Sequence, residues 1–272
     1  MERPFIYIAA LPRSGSTVLS EFLTSIPQAF IFHEPRFASG EAAFKNYEVK
    51  MLAEVGIDLP AVRRKWGLGQ GAFSRLRRVA FGRRPLVRHF AKSLVPELRQ
   101  SVEQVGIKEI SHENWQEYPR YFKDIKCLLP ARDPRDLYIS YREAIESGRA
   151  SWWQGGVSAK EIGGALMRRF RDQMDMYNAL DCMKVKYEEF CSDPSVQRTV
   201  RSFVNSPTSG SWQVGAFNAQ NPKRRQEFEL HGNQITKARI DRWRSCERHD
   251  YAQAFDEVME IMKKYCDCFS YS

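Results

Sequence analysis

The stretch Phe5–Pro35 constrains this chain more than any other. Phe5-Ile-Tyr-Ile-Ala-Ala-Leu11 is apolar and β-rich without alternation, the pattern of a central parallel strand covered on both faces. Pro12 lacks an amide proton and Gly15 admits unusual dihedrals, so the strand cannot run on. From Val18 to Ser25 the apolar residues return at helical spacing, and Pro27 is a stop. A strand, a tight loop and a helix present backbone amides to an anion at the helix N-terminus. Gln28–Pro35 forms a second apolar run ending in His33-Glu34-Pro35.

The loop is close to the triphosphatase pattern G-x-x-x-x-G-K-[ST] but departs from it twice. Ala10 stands at the first glycine, and Ser16 stands at the lysine that reaches the terminal phosphates. Arg13 supplies a cation from inside the loop instead. Such a loop can cradle a phosphate without the usual ATPase equipment.

A second phosphate signal lies about a hundred residues on. Asp124–Ala131 reads as a core strand, followed by Arg132-Asp133-Pro134-Arg135-Asp136 and, two helical turns in, Ser140. Asp133 caps a helix whose first residue is Pro134. A guanidinium at the strand end and a hydroxyl on the helix can converge there on one phosphate.

Together these two stretches resemble the sulfotransferases that use 3′-phosphoadenosine 5′-phosphosulfate (PAPS). Pro12-Arg13-Ser14-Gly15-Ser16-Thr17 is similar to their 5′-phosphosulfate loop. The Arg-Ser-Gly-Ser form is nearest the carbohydrate and tyrosyl-protein branch and its bacterial relatives. Arg132-Asp133-Pro134-Arg135-Asp136 with Ser140 resembles the 3′-phosphate motif.

The resemblance implies that Arg13, Ser14, Gly15, Ser16 and Thr17 hold the 5′ end of PAPS, and that Arg132 and Ser140 hold the 3′-phosphate. It also implies transfer of a sulfonyl group to a hydroxyl, or an amine, by in-line displacement, leaving 3′,5′-adenosine bisphosphate (PAP). A general base must take the acceptor's proton. Glu34 is the expected base, since that branch carries a carboxylate at a similar point. His33 is the alternative, its ordinary pKa being nearer neutrality. Lys108, at the end of a strand over Val105–Ile110, is expected to face the sulfonyl oxygens. Lys186-Tyr187-Glu188-Glu189-Phe190, read as part of a strand over Met183–Phe190, resembles a segment bordering the adenine and brings in Tyr187. Thr236–Arg244 resembles a C-terminal stretch ending in Arg-Trp-Arg, which makes Lys237 and Arg239 further 3′-phosphate partners. No metal is expected.

The net charge of +9 is local: ten basic and no acidic residues fall between Leu59 and Pro96, and the rest is close to neutral. That segment fits an anionic acceptor, a solvated face or a nucleic-acid contact. No RNP-like stacking motif accompanies it, so nucleic acid is not the expected partner. Trp152 and Trp153 fit stacking on an acceptor or inward packing equally. Ala159–Leu180 and Tyr251–Tyr265 read as amphipathic helices. The six cysteines show no metal-ligand spacing and read as reduced thiols.

With strands near 5, 30, 107, 127 and 186 alternating with helices, the expected fold is a single α/β domain over 1–272. A mainly parallel central sheet is flanked by helices around a P-loop-like nucleotide-binding core. Residues 36–100 are expected as a basic acceptor-side or lid insertion, and 205–235 as a mobile loop. The chain enters its first strand at once and holds no long apolar run, which suggests a cytoplasmic protein. The expected acceptor is a glycan or a small-molecule natural product. The readings set against this one are a P-loop-type small-molecule kinase or nucleotide hydrolase and a basic nucleic-acid-binding module.

Overall fold

A computed structural model describes residues 3–66, 85–150, 153–207, 235 and 237–272. Five strands form one parallel sheet: β1 (Phe5–Ala9), β2 (Ala29–His33), β3 (Gln104–Glu109), β4 (Ile125–Ala131) and β5 (Asp181–Lys186). Their spatial order is β2-β3-β1-β4-β5. β1 is the central strand, and all five of its residues are buried, which explains its lack of polar alternation.

The helices in chain order are α1 (Ser16–Leu23), α2 (Asn46–Ala53) and α3 (Leu59–Lys65), then α4, which runs through Val87–His89, a π-helical turn at Phe90–Leu94, and Val95–Leu98. After β4 come α5 (Pro134–Glu146) and α6 (Ala159–Ala179), and after β5 come α7 (Tyr187–Ser192) and α8 (Pro194–Phe203). The chain closes with a 3₁₀ turn at Arg242–Ser245 and with α9 (His249–Ala252), α10 (Phe255–Ile261) and α11 (Lys263–Phe269).

Strand parity sorts the core into two layers. Ile6, Ile8, Ile31 and Leu128 pack with Val18, Leu19 and Phe22 of α1 and with Phe190 and Val200. Phe5, Tyr7, Phe32, Ile107 and Leu129 pack on the other side with Phe90, Leu137, Leu166, Val258 and Tyr265. Each such buried side chain contributes about 1.5–3 kcal/mol relative to leaving it exposed.

Two elements differ from the sequence reading. The strand expected over Met183–Phe190 spans Asp181–Lys186, and Tyr187 opens α7 instead. Glu188 and Glu189 occupy that helix's first turn, where acidic groups favour the positive end of the dipole. The single helix expected over Tyr251–Tyr265 is divided among α9, α10 and α11, with a break at Met262 (φ −94°, ψ 16°).

Of the basic segment, Arg63, Arg64, Lys65, Arg88 and Lys92 are exposed on α3 and α4. Arg75, Arg77, Arg78, Arg83 and Arg84 lie outside the described residues, as do Trp152 and most of 205–235. Trp153 packs inward: its ring meets Tyr141 edge-on at 5.7 Å, and its Nε1 donates to Gly156 O at 2.9 Å.

Candidate active site

In a parallel sheet every strand ends on the same edge, and ligands bind beyond the carboxyl ends. Here each strand delivers a predicted site residue to that edge. Arg13 follows β1, Glu34 follows β2, Lys108 is the last residue but one of β3, Arg132 follows β4 and Tyr187 follows β5.

The loop after β1 winds through left-handed conformations at Arg13 (φ 72°) and Gly15 (φ 81°). The Ser14 hydroxyl is buried and donates to Leu11 O at 2.8 Å, so it closes the loop from within. Gly15 is required twice over. A Cβ there would sit in a strained backbone and only 2.1 Å from Cδ2 of the Tyr187 ring. Ser16 and Thr17 open α1, where the first amides have no intrahelical acceptor.

Arg13 Nε donates to Ser140 Oγ at 2.8 Å, joining the two phosphate motifs. Arg132 is buried at β4's end. Its Nη1 reaches Arg13 O at 3.5 Å, its Nη2 donates to Asp136 Oδ2 at 3.3 Å and to Arg239 O, and its guanidinium lies 4.9 Å from the Tyr187 ring. Its Nε is a buried donor with no hydrogen-bond partner among the described residues. Arg239 is held down from the usual guanidinium pKa by burial first and then by Arg242, with Arg132 and Arg13 adding to the effect. Three guanidinium groups thus converge, a field suited to a polyanion. Lys237 is exposed, two residues before Arg239.

The orphaned Arg132 Nε and the cradle that Gly15 and Tyr187 form fit a nucleotide carrying more than one phosphate. Arg13, the loop amides, Arg132, Ser140, Tyr187 and Arg239 are the residues that would hold it.

At the β2–β3 end of this edge, Lys108 Nζ meets Glu34 Oε1 at 2.5 Å. Lys108 is only 2% exposed, and Glu34 is its counter-charge. Glu34 (φ 55°) and Arg36 (φ 58°) are both left-handed, and β3 fixes this turn. Glu34 N donates to Lys108 O at 2.6 Å, and Arg36 N donates to Glu109 Oε1 at 2.7 Å. Burial pushes the Glu109 carboxyl up to about 8. His33 is turned away into the α1 layer. It is 1% exposed with its Nε2 2.9 Å from Ser20 Oγ, and its backbone N–H donates to Glu48 Oε1.

Sequence reasoning missed Glu109, Asp136 and Tyr265. Asp136 Oδ1 accepts from Trp243 N at 3.0 Å, and Tyr265 brackets the Arg132 backbone. Asp136 lies inside the second phosphate motif, in the first turn of the helix that begins two residues after Arg132; that place in the motif was a usable signal. Nothing local marked the other two.

A model of the sulfotransferase family matches residues 4–205. The chain belongs to the sulfotransferase family. Membership makes it an enzyme and implies sulfonyl transfer, which goes against the kinase and nucleic-acid readings. Among solved structures, this sulfotransferase is similar to the sulfotransferase domain from the Synechococcus PCC 7002 olefin synthase. Identity is 17%, covering 100% of this chain and 97% of that one, with a TM-score of 0.61. The sulfotransferase domain from the curacin biosynthetic pathway is 16% identical over 100% and 99% of the two chains, at 0.61. Mouse sulfotransferase SULT7A1, complexed with PAP, is 11% identical over 100% and 90%, at 0.50. At these identities the shared property is the fold. None of the curated proteins matches the chain. No helix among the described residues is long and apolar enough to cross a membrane.

Proposed function

We propose that this sulfotransferase takes its sulfonyl group from PAPS and passes it to a hydroxyl of a small-molecule or glycan acceptor, with Glu34 as general base. The observation that carries the reading is the pairing of Glu34 with buried Lys108 on the same sheet edge as Arg13, Ser140 and Arg132.

PAPS, when bound, supplies the sulfonyl group and two phosphate-bearing ends. The loop amides and the α1 dipole favour the anionic 5′ end, and Arg13 counters negative charge that develops there. Arg132 and Ser140 recognise the 3′-phosphate. Glu34 accepts the acceptor's hydroxyl proton on its carboxylate. Lys108 sets its Nζ beside the carboxylate and towards the transferred sulfonyl group. Taken out of water alone, that ammonium would cost several kcal/mol. Glu34 is favoured over His33 because the imidazole is buried against Ser20 while the carboxylate keeps partial exposure. The neighbours from olefin synthase and curacin biosynthesis are in keeping with a small-molecule acceptor.

The test has two parts. PAP stabilises the wild type thermally, and ATP with magnesium or duplex DNA does not; stabilisation by ATP alone would reject the donor. Glu34→Gln keeps an acceptor for the Lys108 N–H. It binds PAP within about threefold of wild type, while turnover of PAPS with an acceptor panel drops by about 10²-fold or more. Near-native turnover in this variant would rule Glu34 out as base.

A further inference from the structure

The residues after 205 lie outside the matched family region, yet they reach the corner that carries Arg132. Tyr265 on α11 is fully buried, and its phenol lies against the Arg132 backbone. Its oxygen accepts from Arg132 N at 2.8 Å, and its hydroxyl donates to Arg132 O at 3.0 Å. One side chain therefore satisfies both main-chain groups of the residue at which β4 has ended and the sheet ladder can no longer serve them.

The next residue is held from the same direction. Asp133 N donates to Glu188 Oε1 at 2.9 Å, and Glu188 Oε2 accepts from the Tyr271 hydroxyl at 2.8 Å. The Tyr271 ring lies on Tyr265 with centroids 6.0 Å apart and an interplanar angle of 10°. Lys184 and Lys186 of β5 donate to Cys268 O and Ser270 O at 3.0 and 3.1 Å, fastening the segment to the sheet edge. Burial raises both phenols above their ordinary pKa, so their hydroxyls stay protonated donors in neutral solution.

We infer that Tyr265 is a positioning residue for Arg132, supported by Tyr271 through Glu188. The C-terminal segment thereby sets how well the enzyme tells a 3′-phosphorylated nucleotide from one that lacks the group. The inference rests on the assignment of Arg132 to the 3′-phosphate. The guanidinium has a defined direction only if the Cα that carries it is fixed. Its side-chain contacts to Asp136, Arg239 O and Arg13 O are at 3.3 Å, at short range and at 3.5 Å, and two of them are made to loop backbone. The phenol supplies the rigid point from the core. A nucleotide without the 3′-phosphate makes no use of that direction.

Calorimetric titration of wild type, Tyr265→Phe and Tyr271→Phe with PAP and with adenosine 5′-phosphate tests this. The expected result is a fall of about tenfold in the PAP-to-monophosphate affinity ratio for Tyr265→Phe. The loss falls on PAP, and monophosphate binding stays within about twofold. Tyr271→Phe, which leaves the Tyr265 bonds in place, lowers the ratio by about threefold. A merely structural role weakens both nucleotides together and leaves the ratio alone; that outcome overturns the inference. Should Tyr265→Phe not fold, an unchanged ratio in Tyr271→Phe overturns it equally. A wild type that does not prefer PAP to the monophosphate rejects the Arg132 assignment itself, a separate and recognisable failure.

Discussion

A methyl group on Gly15 would occupy space that the Tyr187 ring already fills. The position therefore ties the first phosphate loop to the residue that opens α7, 172 positions later. Two separate penalties bear on Gly15→Ala. The left-handed backbone costs about 1–2 kcal/mol for a residue with a Cβ. Forcing the ring aside costs a further 1–3 kcal/mol or so, the usual range for overpacking. The variant is expected to melt several degrees lower and to lose at least about tenfold in PAP affinity. Tyr187→Ala in the same background removes the clash and restores part of the stability but not the binding, since Tyr187 also lies against Arg132. Thermal melts and PAP titration of the single and double variants check both statements. If Gly15→Ala binds PAP as well as wild type, the loop tolerates a different path and the cradle is not the binding feature.

At the scale of elements, α5 organises the corner that carries Arg13 and Arg132. Asp136, Ser140 and Glu143 recur at helical spacing, so they share one face. Asp136 receives Trp243 N, Ser140 receives Arg13 Nε, and Glu143 takes both terminal nitrogens of Arg242 with Arg239 at 3.6 Å. That face holds the 237–245 segment across the corner where Arg132 emerges. Glu143 is partly exposed, so its pair with Arg242 is discounted for screening and set at about 1 kcal/mol. Glu143→Gln is expected to weaken PAP binding by about fivefold at low salt, with a smaller effect at high salt and little change in melting temperature. Isothermal titration at two ionic strengths checks it; an unchanged affinity at low salt would mean that the segment docks without the ion pair. Much of this element was legible beforehand, because its signals are local: Asp133 before Pro134 starts a helix wherever the chain lies. The β5–α7 boundary was not legible, because Tyr187-Glu188-Glu189-Phe190 suits a strand end and a helix start alike. What decides is Glu188 reaching Asp133 N, a contact 55 residues away. The same holds for Lys108 beside Glu34 and Tyr265 at Arg132, pairings 74 and 133 residues apart that no spacing rule encodes.

The whole molecule buries several ionisable groups near the turn that carries Glu34, and their titration makes the fold's stability depend on pH in opposite directions. Burial is the main cause in each case. It lifts Glu109 to about 8 and Glu48 to about 7, and lowers His112 to about 4. For the two carboxyls the folded pKa lies above the unfolded value of 4.5. The native state keeps a proton that the unfolded chain releases, so stability falls as pH rises from about 4.5 to 7 for Glu48 and to about 8 for Glu109. For His112 the folded pKa lies below the unfolded 6.5, and stability falls as pH drops from 6.5 towards 4. A tenfold change in proton affinity on folding is worth about 1.4 kcal/mol, and the backbone hydrogen bonds that Glu48 and Glu109 accept already offset part of the burial cost. The interval from pH 7 to 8 weights Glu109 most heavily, because Glu48 is already half ionised in the folded state at its start while Glu109 still holds most of its proton. Urea unfolding of the wild type is therefore expected to show stability declining by about 1 kcal/mol across that interval. Glu109→Gln, which keeps an acceptor for Arg36 N, removes most of the decline, and Glu48→Gln removes only the smaller part. If Glu109→Gln retains the wild-type slope between pH 7 and 8, the proton lost there sits elsewhere, and Glu109 enters the fold already ionised as a fixed acceptor for the turn that carries Glu34.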